Sequence, residues 1–300
     1  MAPRLDPRRV LLLRDVVRAG SISAAARDLG WTQPAVSQHL ARLERDVGAP
    51  LLVRGPGGVT PTQAGEVLVR RADVVAAELH AADEELAALT ELRAGRVRLV
   101  AFPSAAATLV PVAVDALAAA YPAVEVGFDE GEPPEALAAV SAGDADLALV
   151  FGYDGPPEGV GSLVWRRLLV EPVHLVLPPG TRVAHLADLA EASWIGGCVR
   201  CRSHLVACCE AAGFTPQLRH VTDDYVVVQN LVARGLGVAV LPHSALLAHR
   251  HPEVEVVDLP SLEPGLGERH VGLVYRAGAE QVPATAALHA TISAAARRWT

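Results

Sequence analysis

The segment from Thr62 to Arg93 contains no proline, and its one glycine, Gly65, falls in the first turn. Leu68, Ala72, Val75, Leu79, Ala82, Leu86 and Leu89 recur along it at alternating spacings of four and three. An α-helix brings residues at that spacing onto one line. A stripe this narrow suits a partner helix, whereas an amphipathic helix packed on its own domain usually buries a wider face. The chain is therefore expected to carry a dimerisation helix over 62–94, with Leu68, Val75, Leu79, Leu86 and Leu89 as its seam. It separates a small head, residues 1–61, from a large body, residues 95–300.

Charge divides at the same place. The chain of 300 residues carries a net charge of −8, yet its first sixty residues hold nine Arg against five acids. A basic head on an acidic body implies that only the head meets a polyanion. Every cationic side chain except histidine is Arg, which a GC-rich coding bias explains as readily as selection for bidentate contacts. No apolar run is long enough for a membrane span. The start, MAPRLDPRRV, lacks the basic-then-apolar pattern of a secretory signal. The expected location is the cytoplasm, where thiols stay reduced.

Within the head, residues 21–44 read SISAAARDLGWTQPAVSQHLARLE. Ser21 can cap a helix running through Leu29, and Gly30 can end it in the left-handed conformation. Thr32 can cap a second helix with Pro34 in its first turn. Val36, Leu40 and Leu43 give that helix one buried face and leave Ser37, Gln38 and Arg42 on others. Two short helices joined by a tight glycine turn make a helix-turn-helix, whose second helix offers its N-terminal residues to the major groove. Gln38 can pair bidentately with adenine, and Arg42 can reach guanine or phosphate. The competing reading is a helical hairpin with a solvated polar face. VRGPGGVTPT (53–62) reads as a Gly/Pro hairpin that could serve as a minor-groove wing, with Arg54 as its cation.

The run AAARDLGWTQPAVSQHLARLERDVGAPLLVR, followed by TPTQAGE, resembles the DNA-binding head of LysR-type transcriptional regulators. The motif is carried by Ala25, Ala26, Leu29, Thr32, Gln33, Pro34, Ala35, Val36, Ser37, Leu43, Glu44, Gly48, Leu51 and Arg54. Leu52 stands where the family usually has Phe. The resemblance implies double-stranded DNA as a partner, contacted at or near Thr32, Gln33, Pro34, Ser37, Gln38 and Arg42, with Arg54 and Thr60 at the wing. It also implies a homodimer that pairs further into a homotetramer.

The body alternates strand and helix: VRLVAFP (97–103), a helix over 108–121, VEVGFDE (124–130), a helix over 134–142, then DLALVF (146–151). That order implies a parallel sheet covered by helices. After the Gly/Pro-rich crossing GYDGPPEGVG (152–161) come strands at HLVLP (174–178), within DLAEASWIGG, at GVAVLP (237–242) and at VGLVY (271–275). Helices fall at HLVACCEAAGF, before Arg234 and over 282–298. The expected architecture is multi-domain α and α/β: a winged helix-turn-helix, a linker helix and a two-lobed α/β effector domain like periplasmic binding proteins. Lobe I takes about 95–165 and 270–300, and lobe II about 166–269. Ligands in open α/β sheets sit beyond the carboxyl ends of strands, here the cleft between lobes. A small-molecule effector is expected there, with Ser104, Cys198, Arg202, Thr222 and His243 as candidate contacts. Ser104 opens a helix, where anions bind readily, and Arg202 points toward an anionic effector.

All four cysteines lie in GCVRCRSHLVACC, residues 197–209. Three readings stay open. Cys198, Cys201, Cys208 and Cys209 can be inert packing. Cys198 with Cys208 or Cys209 resembles the reactive pair of the family's peroxide-sensing branch, with a different separation; Arg200 and Arg202 would favour thiolate. Cys198 and Cys201, with Cys208, Cys209 or His204, can also hold a soft ion, zinc or copper. No enzyme is expected: G-x-S-x-G, G-x-x-x-x-G-K-[ST] and H-E-x-x-H are all missing, and no catalytic residue is nominated. A cytoplasmic solute-binding protein would explain the lobes and leave the basic head unexplained.

Overall fold

The computed structural model describes residues 5–55, 58–90, 95–258 and 267–299. Backbone contacts divide the chain into two compact units. One is Met1–Leu86 with the short segment Ser141–Asp144; the other is Ala87–Val140 with Ala145–Thr300.

The first unit begins with helix α1 (Pro7–Arg18), capped by the Asp6 side chain, which accepts the Arg8 N–H at 3.0 Å. Helix α2 (Ile22–Asp28) starts at Ser21, whose Oγ accepts the Ala24 N–H at 3.1 Å. Gly30 follows α2 with φ 67°. Helix α3 (Gln33–Val47) starts at Thr32 and stops at Gly48, φ 81°. Strands β1 (Leu52–Gly55) and β2 (Gly58–Pro61) pair antiparallel as the wing. Leu13, Val16, Ala25, Val36, Leu40, Leu43 and Leu51 form the core. Burying each large aliphatic among them contributes about 1.5–3 kcal/mol. Glu44 is a tie rather than a surface charge: its Oε1 accepts the Leu51 N–H at 2.8 Å, joining α3 to the wing.

Helix α4 (Gln63–Thr90) is 28 residues long, about 42 Å at 1.5 Å per residue. Its first turns belong to the head. A Cβ on Gly65 would collide with the Leu51 carbonyl, so only glycine lets the helix start this close. Ala72 is buried and Leu68 packs against the head core. Asp73 accepts from Arg14 at 2.8 Å and Arg18 at 3.2 Å, which pins α4 to α1. Leu68 is thus half-buried against the head core within one chain. The same line continues exposed through Val75 (37%), Leu79 (54%) and Leu86 (59%). The Leu89 side chain lies outside the described residues.

Among the described residues, the second unit is built on a nine-stranded mixed sheet. Its elements, in chain order, are β3 (Arg96–Ala101), α5 (Pro103–Ala106), α6 (Leu109–Ala120), β4 (Glu125–Glu130), α7 (Pro133–Ala142), β5 (Leu147–Gly152) and β6 (Val164–Leu177). They continue with β7 (Ser193–Gly196), α8 (Val199–Ala211), β8 (Gln217–Val221), α9 (Tyr225–Ala233), β9 (Val238–Pro242), α10 (His243–Ala248), β10 (Glu255–Asp258), β11 (Glu268–Tyr275) and α11 (Pro283–Ala296). Strand β3 pairs parallel with β4 and β5, and β7 pairs parallel with β8 and β9. The expectation of a parallel sheet fails at β6 and β11. These strands carry the chain between lobes, and β11 pairs antiparallel with both β5 and β6. The first half of β6 lies on β11, and its second half on β9 and β10. One strand thus belongs to both lobes. Among the described residues, no helix is long and apolar enough to cross a membrane.

Candidate functional site

On α3 the apolar side turns inward and the polar side outward. Thr32, Gln33, Pro34, Gln38 and Arg42 are exposed, and Ser37 is half-buried. Gln38 and Arg42 are four residues apart, so they share one helix face. The Gln33 Nε2 donates to the Ser37 Oγ at 3.0 Å, which holds both polar groups at the helix start. In the wing, Arg54 lies opposite Val59 and Val53 opposite Thr60. Side chains of facing residues share a face, and neighbours along a strand alternate. Arg54 and Thr60 therefore project from opposite faces of the ribbon, although both are exposed.

In the second unit, a cleft of about 900 Å³ opens between residues 132–158 of lobe I and residues 197–223 of lobe II. Cys198 and Arg202 line it, as does His204. So do Glu132, Glu135, Asp154, Glu158 and Asp223, against Arg200 and Arg202. The wall is thus predominantly acidic, which removes the basis for expecting an anionic effector from Arg202 alone.

Ser104, Thr222 and His243 are not in the cleft wall. Ser104 is fully buried, and its hydroxyl accepts from Arg269 Nη2 at 2.7 Å. The strand-end rule found the right helix start, but a buried guanidinium takes its hydroxyl. Thr222 Oγ1 accepts the Asp224 N–H at 3.2 Å, shaping the turn before α9. His243 faces His174, ring nitrogens 3.1 Å apart. Burial and then the neighbouring His243 hold the His174 imidazole below its ordinary value.

The sequence reading missed the polar centre beneath the cleft. Arg269 on β11 is buried; its Nε donates to Glu171 on β6 at 2.8 Å and its Nη2 donates to Ser244 Oγ at 3.2 Å. Its guanidinium lies over the rings of Phe102 and Phe151, 4.8 Å and 4.3 Å from their centroids. Glu171 Oε2 also accepts the Ser244 N–H at 2.9 Å. Through Arg269 this ion pair is tied to Ser104 of lobe I and to Ser244 of lobe II. Glu132 and Tyr153 were missed as well. The strand-end rule, applied past β4 and β5, would have found them. Burial and then Cys198 push the Glu132 carboxyl up to about 8.

The cysteines separate into two pairs. Cys198 caps α8, accepting the Cys201 N–H, and the two sulfurs are 3.3 Å apart. Cys208 and Cys209 are buried in the core of lobe II, and Cys208 Sγ lies 3.4 Å from His204 Nε2. None of the four cysteines is in a disulfide. The hydrogen bond from Cys198, aided by the Arg269 charge and the Tyr153 hydroxyl, holds the Cys201 thiol below its usual value. The same bond, with burial, holds Cys198 above it. Ten residues of helix separate Cys198 from Cys208, about 15 Å of rise, whereas a disulfide needs Cα atoms about 5.5–6 Å apart. The expected Cys198–Cys208 or Cys198–Cys209 pair is therefore not assembled while α8 is intact. The ring of His204 stacks on Tyr153, centroids 3.5 Å apart, which is a contact between lobes. Among the described residues, no group of three or more His, Cys, Asp or Glu side chains is arranged to hold a metal ion. The expected zinc or copper set is therefore not assembled.

Residues 7–66 match the family described as bacterial regulatory helix-turn-helix protein, lysR family. Residues 90–297 match the family described as LysR substrate binding domain. The chain is 30% identical over 293 residues to the HTH-type transcriptional regulator GalR of Pseudomonas putida, covering 95% of this chain and 72% of that one. It is 30% identical over 286 residues to a Streptomyces viridosporus protein named "Probable hydrogen peroxide-inducible genes activator", covering 91% of this chain and 87% of that one. A full-length OxyR from Pseudomonas aeruginosa superposes with a TM-score of 0.70 at 21% identity, over 98% of this chain and 95% of that one.

Proposed function

The chain belongs to the LysR family of DNA-binding transcriptional regulators, and from that premise we propose how its parts divide the work. It is a regulator and not an enzyme. In our reading, α3 enters the major groove, where Gln38 reads a base edge and Arg42 anchors the helix beside it. Thr32, Gln33, Pro34 and Ser37 set the helix start against the backbone. Arg54 reaches a phosphate from one face of the wing, and Thr60 serves the other face. Two chains pair along the exposed line Val75, Leu79 and Leu86, continued by Leu89, and the pairs assemble further into a tetramer. Two recognition helices then meet two half-sites. A small polar effector binds the cleft in the cytoplasm and changes the lobe contacts. That motion re-spaces the heads.

The observation that carries the DNA assignment is the exposed Gln38–Arg42 face on a helix whose other side is core. Gln38→Ala is expected to lose discrimination between specific and random duplex, by about 1–3 kcal/mol at the base it reads. Arg54→Ala is expected to weaken both duplexes alike and to reduce the salt slope by about one phosphate. Fluorescence anisotropy on both duplexes separates the two. Equal losses on both by both variants would mean that Gln38 does not read sequence.

A further inference from the structure

We propose that Cys198, in the cleft wall, and Cys201, one turn further along α8, form a vicinal-dithiol site for a trivalent, sulfur-seeking metalloid, of which arsenite is the simplest. The proposal rests on the effector-cleft reading only for its regulatory consequence; the site stands on three observations of its own.

The first is the distance. The two sulfurs are 3.3 Å apart at the start of α8. With sulfur–metal bonds of about 2.3 Å, a linear ion spreads its two sulfurs to about 4.6 Å and a tetrahedral ion to about 3.8 Å. A pyramidal centre with angles near a right angle holds them at about 3.3 Å with the same bond length. The pair is pre-set for the pyramidal case. The second is access. Cys198 is part of the wall of a cleft of about 900 Å³, which leaves room for a ligand to arrive. The third is an unused acceptor. Glu132 lies beside Cys198, and its Oε2 is buried without a hydrogen-bond partner. A hydroxyl on the bound metalloid would supply that partner.

The reaction is a ligand exchange. Arsenite, As(OH)3, forms two As–S bonds and loses two of its As–O bonds. The two departing hydroxides leave as water, carrying the two thiol protons. Arsenic stays trivalent and no electron moves. The third hydroxyl remains and donates to Glu132 Oε2. Loading also turns into metalloid ligands the two sulfurs that now accept hydrogen bonds from lobe I, Cys198 from Glu132 and Cys201 from the Tyr153 hydroxyl. Tyr153 in turn stacks on His204 of lobe II. Binding at the dithiol therefore acts on the contacts between lobes.

The test uses reduced full-length protein, sodium arsenite as the probe, and native mass spectrometry. One arsenic per chain is expected in the wild type and in Cys208→Ala. Cys198→Ser and Cys201→Ser are each expected to bind at least about tenfold more weakly, because the second thiol otherwise acts at high effective concentration. Equal binding by Cys198→Ser, dependence on Cys208, or no arsenic bound would each overturn the site. So would a loss of two hydrogens with no arsenic gained. DNA binding of arsenite-free protein is measured alongside. Its failure would count against the regulator reading, while the arsenic stoichiometry alone decides the site.

Discussion

Arg269→Met is expected to destabilise the body by about 3–5 kcal/mol, the cost of breaking a buried ion pair by removing one partner. Glu171, 4% exposed, would keep its charge in the interior with no cation beside it. Ser104 and Ser244 would each lose a donor. Phe102 and Phe151 would lose the guanidinium that lies over both rings. Urea unfolding followed by tryptophan fluorescence reads the effect, since Trp194 is buried in lobe II. The double change Arg269→Met with Glu171→Leu is expected to recover much of the loss, because two matched apolar side chains leave no orphaned charge. A single-variant loss below about 1 kcal/mol would place the pair among ordinary surface contacts.

Leu79→Asp combined with Leu86→Asp is expected to convert the dimer to a monomer that stays folded. Both side chains are more than half exposed within one chain. Changing them should alter the fold's stability by no more than about 0.5 kcal/mol. In a paired helix each would place a carboxylate in an apolar seam, facing its own copy. Operator affinity should fall by a factor of roughly 10²–10⁴, since the second half-site contact ceases to be intramolecular. Analytical ultracentrifugation and DNA titration check the two halves separately. A variant that remains dimeric with full affinity would show that these leucines are not the seam.

The head was legible because its signals are local. Ser21, Gly30, Thr32 and Gly48 each act on neighbouring backbone, and each sits where capping and turn chemistry place it. The heptad line was legible as a helix, but its two halves looked alike in sequence. Ala72 is buried and Leu68 half-buried because Gly65 lets α4 start against Leu51, a contact between segments that periodicity does not report. The body's short strands were readable as apolar runs. The long strand β6 was only half visible, since Arg166, Arg167 and Glu171 interrupt its hydrophobic pattern. Glu171 is inside because Arg269 pairs with it from 98 positions away. Such pairing leaves no spacing to read. The cysteine cluster showed up as composition alone. Whether its members meet depends on where α8 begins: Cys198 is the cap, Cys201 folds back on it, and Cys208 and Cys209 follow the helix into the lobe core.

The most direct test of sequence-specific DNA binding by this chain is a salt titration. Full-length protein is offered a duplex that it has itself selected from a random pool, and a scrambled duplex of equal length. A steep linear fall of log affinity with log salt is expected on both, from phosphate contacts by the Arg-rich head. A preference of about 10³-fold or greater for the selected duplex is expected near physiological salt. Flat salt dependence, or equal affinity for the two duplexes at every salt concentration, would contradict a sequence-reading head.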